Sequence, residues 1–196
     1  GSGLRGRRET CIPDFVGSRQ RKKLSFAQKK CVSKAGKLML DNSMLRPGAR
    51  IGVAVSGGMD SWVLLQALSL HRRKLPFPIQ LMVLHINPGF DPTNHAPLIN
   101  WAREAGVAVH AEVSDMGPRA HSPENRKSSP CFFCSWRRRK HLFTLVEHYG
   151  LTHLALGHTA DDLVQTFFLN LFYQGRVEGL YAREPFFQGR FELIRP

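Results

Sequence analysis

Val53-Ala54-Val55-Ser56-Gly57-Gly58-Met59-Asp60-Ser61 decides how the rest of the chain is read. A β-branched apolar run from Ile51 to Val55 stops at a Ser-Gly-Gly turn. An apolar helical pattern follows through Trp62, Val63, Leu64, Leu65, Ala67 and Leu68. A strand, a tight glycine turn and a helix N-terminus together make an anion cradle, because the N–H groups of the turn and the positive end of the helix dipole point at one spot. Gly57 and Gly58 remove the Cβ atoms that would hold a ligand away from that backbone. Ser56 and Ser61 offer hydroxyl donors for phosphate oxygens. Asp60 is the odd member, since a carboxylate repels a phosphate unless Mg²⁺ lies between them or the carboxylate caps the helix. The bland alternative is an ordinary strand–turn–helix with Ser56 or Asp60 as its N-cap. A Walker loop is excluded, as no Gly-Lys-Ser/Thr follows at the required spacing.

Outward from this stretch, apolar runs and helical stripes alternate. Strands are expected at 50–55, 79–86, 107–113, 153–156 and 191–194, and helices at 25–44, 60–71, 94–105, 133–149 and 161–172. This alternation predicts an α/β fold with a doubly wound parallel sheet and right-handed crossovers. Ligands of such sheets bind at the carboxyl ends of the strands, and the chemically loaded stretches Ser56–Ser61, His85–Gly89 and Gly157–Asp162 all fall there. Residues 1–24 read as a basic, exposed tail, 25–45 as an N-terminal helix capped by Ser25, and 46–196 as the main domain. Residues 114–130 read as a long polar loop and 173–190 as a connection. No internal repeat is visible.

Composition narrows the partners. The 196 residues carry 28 Lys and Arg against 15 Asp and Glu, a net charge of +13, which favours a polyanion such as nucleic acid. No apolar run approaches the roughly 20 residues of a membrane span, and no signal-peptide pattern opens the chain, so a cytoplasmic, reducing home is expected. There, Cys131-Phe132-Phe133-Cys134 is read as half a metal site, a redox pair or part of an iron–sulfur site rather than a structural disulfide. Two thiolates are too few to close a metal site. Arg137, Arg138, Arg139 and Lys140 follow directly and suit RNA phosphates.

SGGMDS resembles the pyrophosphatase loop, or PP-loop, of ATP pyrophosphatases that adenylate a carbonyl or carboxylate. GHTADDLVQTFFLNLFYQG resembles the GH-x-x-DD-x-x-[EQ]T helix of PP-loop tRNA-modifying enzymes. With PCFFCSWRRRK between them, residues from about 37 to 196 resemble the tRNA 2-thiocytidine synthetases. The CxxC with its arginines separates that group from the tRNA-Ile lysidine synthetases. The resemblance implies ATP-dependent adenylation of the C2 carbonyl of an anticodon-loop cytidine, release of pyrophosphate, and displacement of AMP by sulfur. It implies ATP held by Ser56, Gly57, Gly58, Asp60, Ser61 and Gly157, with Leu84, His85 and Ile86 along the adenosine. It implies Mg²⁺ placed by Asp60 and by Asp161 or Asp162, and a [4Fe–4S] cluster on Cys131, Cys134 and a third cysteine. The implied partners are tRNA, a cysteine-desulfurase-type sulfur donor and a second copy of the chain.

Two departures stand out. Met59 occupies a position where the family's loop commonly carries Lys. No cysteine follows Cys134, whereas the family's third ligand comes later; a PP-loop domain truncated at its C-terminal end is favoured over Cys31 or Cys11 as substitute ligand or loss of the cluster. The alternatives are another PP-loop RNA-modifying ligase or thiolase, or a non-catalytic ATP- and RNA-binding relative that lacks the third cluster cysteine.

Overall fold

The β-branched run before the cradle lies at the centre of the sheet. In the computed structural model, which describes residues 8–11, 24–91, 93–123, 125, 129–158, 162, 181–186 and 188–196, the order of elements is β1 (Arg8–Cys11), α1 (Phe26–Asp41), β2 (Arg50–Ala54), α2 (Met59–Arg72), β3 (Gln80–Asn87), α3 (Ala96–Ala105), β4 (Ala108–Val113), α4 (Met116–Ala120), α5 (Pro130–His148), β5 (His153–Leu156), β6 (Arg183–Phe186) and β7 (Phe191–Ile194). The described strands form one sheet in the order β1-β4-β3-β2-β5-β7-β6. The five inner strands are parallel, and β1 and β6 close the two edges antiparallel.

Strand periodicity divides the core into two layers. Ile51, Val53 and Val55 of the β2 run, with Leu81 and Val83 of β3, face the layer built by Leu64, Leu65 and Leu68 of α2 and Leu98, Ile99 and Ala102 of α3. Met82, Leu84 and Ile86 face the other layer, under Leu142, Leu145 and Val146 of α5. The chain leaves β2 for β3 and β4 on one side, then returns to β5 on the other. The loops after β2 and β5 therefore part beside each other, and a crevice opens at the carboxyl end of the sheet.

The expected α/β architecture is observed, with four differences of detail. Residues 8–11, read as part of a tail, pair with the otherwise open edge of β4. The 114–130 loop contains the short helix α4, whose five residues are too few to show a period. The helix expected at 133 starts at Pro130, because Ser129 caps it by accepting a hydrogen bond from the Phe132 N–H. The CxxC thus sits in the first turns of α5 rather than in a loop. Residues 183–186, read as connection, form β6, and its Arg183 is held by Glu192 of β7 at 2.6 Å. Ser25 does cap α1, in a reciprocal capping box with Gln28. Of the helix expected at 161–172, only Asp162 lies among the described residues.

Candidate functional site

The Ser56–Ser61 turn holds itself open. Gly57 has φ +95°, a left-handed conformation that a side chain resists. Gly58 takes the N-cap position of α2, and no side chain caps that end. The Ser61 hydroxyl donates to the Gly58 carbonyl at 2.8 Å and accepts from the Ser56 N–H at 3.3 Å. The Ser56 hydroxyl accepts from the Gly58 N–H at 3.3 Å. Ser61 is buried and serves as the staple of the loop; Ser56 is exposed, with its hydroxyl 3.4 Å from that of Ser61. The N–H groups of the first α2 turn have no intrahelical partners and point out of the helix end. Asp60, in that first turn, is exposed.

Gly157 packs directly on this turn. A Cβ there would lie 2.9 Å from the Ser61 nitrogen and 3.0 Å from the Asp60 carbonyl carbon, so β5 and α2 approach this closely only through glycine. The sequence assigned Gly157 to nucleotide contact; its nearest neighbour is the helix end that makes the cradle.

Beside the turn lies a cavity of about 150 Å³ lined by Ala54, Val55, Ser56, Ser61, Leu84, Ile86, Arg138, Leu142, Leu156, Gly157 and His158. Leu84 and Ile86, read as running along the adenosine, line this cavity. His85 points to the opposite face of the sheet, as strand alternation requires. It is buried there, donating from Nδ1 to the Val55 carbonyl at 2.7 Å, with its ring 6.0 Å from that of His95. Its Nε2 has no hydrogen-bond partner among the described residues. Burial pushes the His85 imidazole below its ordinary range, with His95 and Arg138 adding to the effect and the Val55 bond opposing it. His85 thus steadies the β2 end beneath the cradle.

The four cations after the CxxC do not act as one block. Arg138 enters the cavity wall. Arg137 lies over the Phe133 ring at 4.8 Å, and Lys140 over the Trp136 ring at 5.7 Å. Arg139 faces His158 and Arg195 electrostatically. Sequence reading missed Arg138 as a cavity residue, although its spacing carries the signal. Cys131, Cys134, Arg138 and Leu142 recur at three- and four-residue intervals, which is one stripe of a helix. Cys134 is about 6 Å along the helix axis from Arg138. Cys131 is exposed, and the Cys134 thiol donates to the Met116 carbonyl at 3.4 Å.

His158 and Arg195 were also missed. Burial lowers the His158 imidazole, reinforced by Arg195 and Arg139 and opposed by Asp162, and its Nδ1 has no partner among the described residues. The buried Arg195, just past β7, donates to the Tyr181 carbonyl and lies 3.5 Å from Glu184; burial lowers its pKa too. The crevice therefore sets one arginine and an apolar wall beside a helix N-terminus, an arrangement suited to a phosphate group with an apolar seat next to it. Asp162 stands near His158, while Asp161 lies outside the described residues. Among the described residues, no group of three or more His, Cys, Asp or Glu could hold a metal ion. The two thiols fit part of a cluster site, and the described residues do not complete it.

Known proteins carry the same pattern. The chain is 35% identical over 168 residues to the tRNA-cytidine(32) 2-sulfurtransferase of Geobacter sulfurreducens, covering 86% of this chain and 65% of that protein. It is 36% identical over 161 residues to the protein of that name in Syntrophotalea carbinolica, covering 82% of this chain and 62% of that one. It is 32% identical over 185 residues to the one in Bordetella pertussis, covering 93% and 55%. The chain thus spans between 55% and 65% of the length of these relatives. Among solved structures, the U34-tRNA thiolase NcsA from Methanococcus maripaludis with its [4Fe-4S] cluster superposes with a TM-score of 0.65 at 19% identity, over 86% of this chain and 58% of that one, a likeness of fold. Residues 27–196 match the PP-loop domain, and with the cradle, the crevice and these relatives in view the chain belongs to the PP-loop family.

Proposed function

We propose that this chain is the ATP-using part of a tRNA thiolation enzyme. The C2 carbonyl oxygen of an anticodon-loop cytidine attacks the α-phosphorus of ATP; the α–β phosphoanhydride bond breaks and pyrophosphate leaves. A sulfur nucleophile at the sulfide oxidation level then adds to C2, and AMP departs with the former carbonyl oxygen. The observation that carries this reading is the cavity itself: the glycine cradle, the Gly157–His158 turn and an arginine from the CxxC helix line one space.

The cradle N–H groups and the Ser56 hydroxyl hold the pyrophosphate portion, and Ala54, Leu84, Ile86 and Leu142 pack the adenosine. Asp60 with Asp162 or Asp161 would hold Mg²⁺, which would supply charge neutralisation for a departing pyrophosphate. Arg138 adds a fixed positive charge where the transition state gathers negative charge. Cys131 and Cys134 lie up the same stripe, so sulfur handled at the thiol pair would arrive near the activated carbonyl. A [4Fe–4S] cluster would need a third ligand beyond the described residues, and no step above depends on it. A cytoplasmic setting, a cysteine-desulfurase-type donor and a second copy of the chain belong to the same reading.

Met59 in the loop favours one second reading, a relative that binds ATP and RNA without turning over. Pyrophosphate exchange into ATP separates the two. The protein with tRNA and Mg²⁺ should exchange label, and Asp60→Ala should lower the rate by roughly a hundredfold. Equal rates would remove Asp60 from the site. No exchange in the parent protein would favour the binding-only reading.

A further inference from the structure

Helix α5 has a second stripe whose chemistry the fold does not explain. Phe132, Trp136 and Lys140 recur every four residues, and Phe143 extends the line by one more turn. At Phe143 the stripe is core: the ring packs against Phe186 and Phe191 of β6 and β7, 5.3 and 5.4 Å between centroids. Arg138 and Leu142 stand at the carboxyl ends of the strands, so the turns that carry Phe132 and Trp136 project past the sheet edge. There the aromatics stay in solvent, with Phe132 61% and Trp136 54% exposed. Packing among the described residues does not account for large apolar rings at these positions.

Their neighbours are cations. Lys140 lies over the Trp136 ring, Arg139 is exposed one residue away, and Arg137 sits over Phe133. Exposed aromatic rings among Lys and Arg form a surface suited to unpaired nucleotides, because every base has a face to stack and every phosphate a charge to pair. A protein partner of mixed charge would meet the cations Arg137, Arg139 and Lys140 less readily; an acidic polymer with flat, splayed bases matches both components.

Resting on the thiolation reading above, we propose that Phe132 and Trp136 form a stacking platform for unpaired bases flanking the target nucleotide, with Arg139 and Lys140 holding the adjoining backbone. The platform and the thiol pair occupy the same first turns of α5. Phe132 and Trp136 lie on a different face of α5 from Arg138, so a base stacked there belongs to a nucleotide outside the crevice.

The test compares an anticodon-arm hairpin, which has an unpaired loop, with a fully paired duplex of equal length. The parent protein should prefer the hairpin. Phe132→Ala and Trp136→Ala should each weaken hairpin binding by roughly tenfold, leave duplex and ATP binding unchanged, and Trp136→Phe should restore most of the loss. Both side chains are exposed, so unchanged melting and ATP binding certify a folded variant. If the parent binds the hairpin and Trp136→Ala binds it equally well, the platform is overturned and the tRNA reading stands. If the alanine variants bind hairpin normally but lose self-association, the stripe is a contact between copies and the proposal is overturned. If the parent binds no hairpin at all, the tRNA reading falls and the platform with it.

Discussion

Met59 and Arg138 are best understood together. Met59 is 80% exposed at the first position of α2, next to the cradle, and brings no charge to it. Arg138 reaches the same cavity from α5. If Arg138 supplies the cation that Met59 does not, Arg138→Ala should raise the KM for ATP by roughly tenfold, the weight of one charge-assisted hydrogen bond. Met59→Lys should recover part of that loss at little cost in stability, since Met59 is in solvent. KM values from pyrophosphate exchange check both. An unchanged KM in Arg138→Ala would return Arg138 to the RNA-binding group. The strand, glycine turn and helix start of the cradle were legible from sequence. The inward turn of Arg138 was hidden because it sits in a run of four like charges, and only the facing strands decide which member of the run meets the cavity.

At the scale of elements, β4 and α5 are joined by a buried polar cluster. On the α5 face of β4, Glu112 takes His110 Nε2 at 3.0 Å and stands in close ion-pair contact with His141 of α5, while His110 Nδ1 meets the Tyr149 hydroxyl at 2.8 Å. Burial alone would raise the Glu112 carboxyl, but the two histidines together outweigh it and hold it at about 2, below its ordinary 4.5. The sign follows from linkage: a carboxyl whose folded pKa is depressed stabilises the fold above its unfolded pKa and loses that contribution as the pH falls toward the folded one. The clamp should therefore be complete above about pH 4.5 and fade between there and about pH 2. Acid unfolding of the parent should be steep across that window, and Glu112→Gln should flatten this limb. Identical acid limbs would show that the cluster contributes nothing to holding α5 on the sheet. Because α5 carries Arg138 and the thiol pair, this clamp also fixes the height of both above the crevice. Sequence reading took His110 and His141 as bland core or surface residues. No local pattern joins positions on β4 to positions on a helix a loop away, so the cluster exists only once the layer is packed.

For the molecule as a whole, the surplus of +13 would set the ionic behaviour of the proposed RNA binding. Neutralising phosphates releases counterions, so affinity for an anticodon-arm hairpin should drop at least tenfold between about 50 and 200 mM salt. Trp136→Ala should keep the parent's salt slope, because stacking releases no counterions, whereas Lys140→Ala should lower it by about 0.7. A slope near zero would assign the positive charge to some role other than RNA. Sequence alone determined the strand–turn–helix cradle, the alternating α/β order and the family membership carried by SGGMDS, the CxxC and the GHTADD string, because each depends on neighbours within a few residues and on periods of two and 3.6. The tertiary structure decided the rest: that Gly157 is a packing glycine against α2, that His85 lies under the sheet while Leu84 and Ile86 line the crevice, that residues 8–11 cover the β4 edge, and that the thiols share a stripe with Arg138. Those outcomes depend on which strands stand side by side and which helix crosses which face, and such relations between distant residues come from packing.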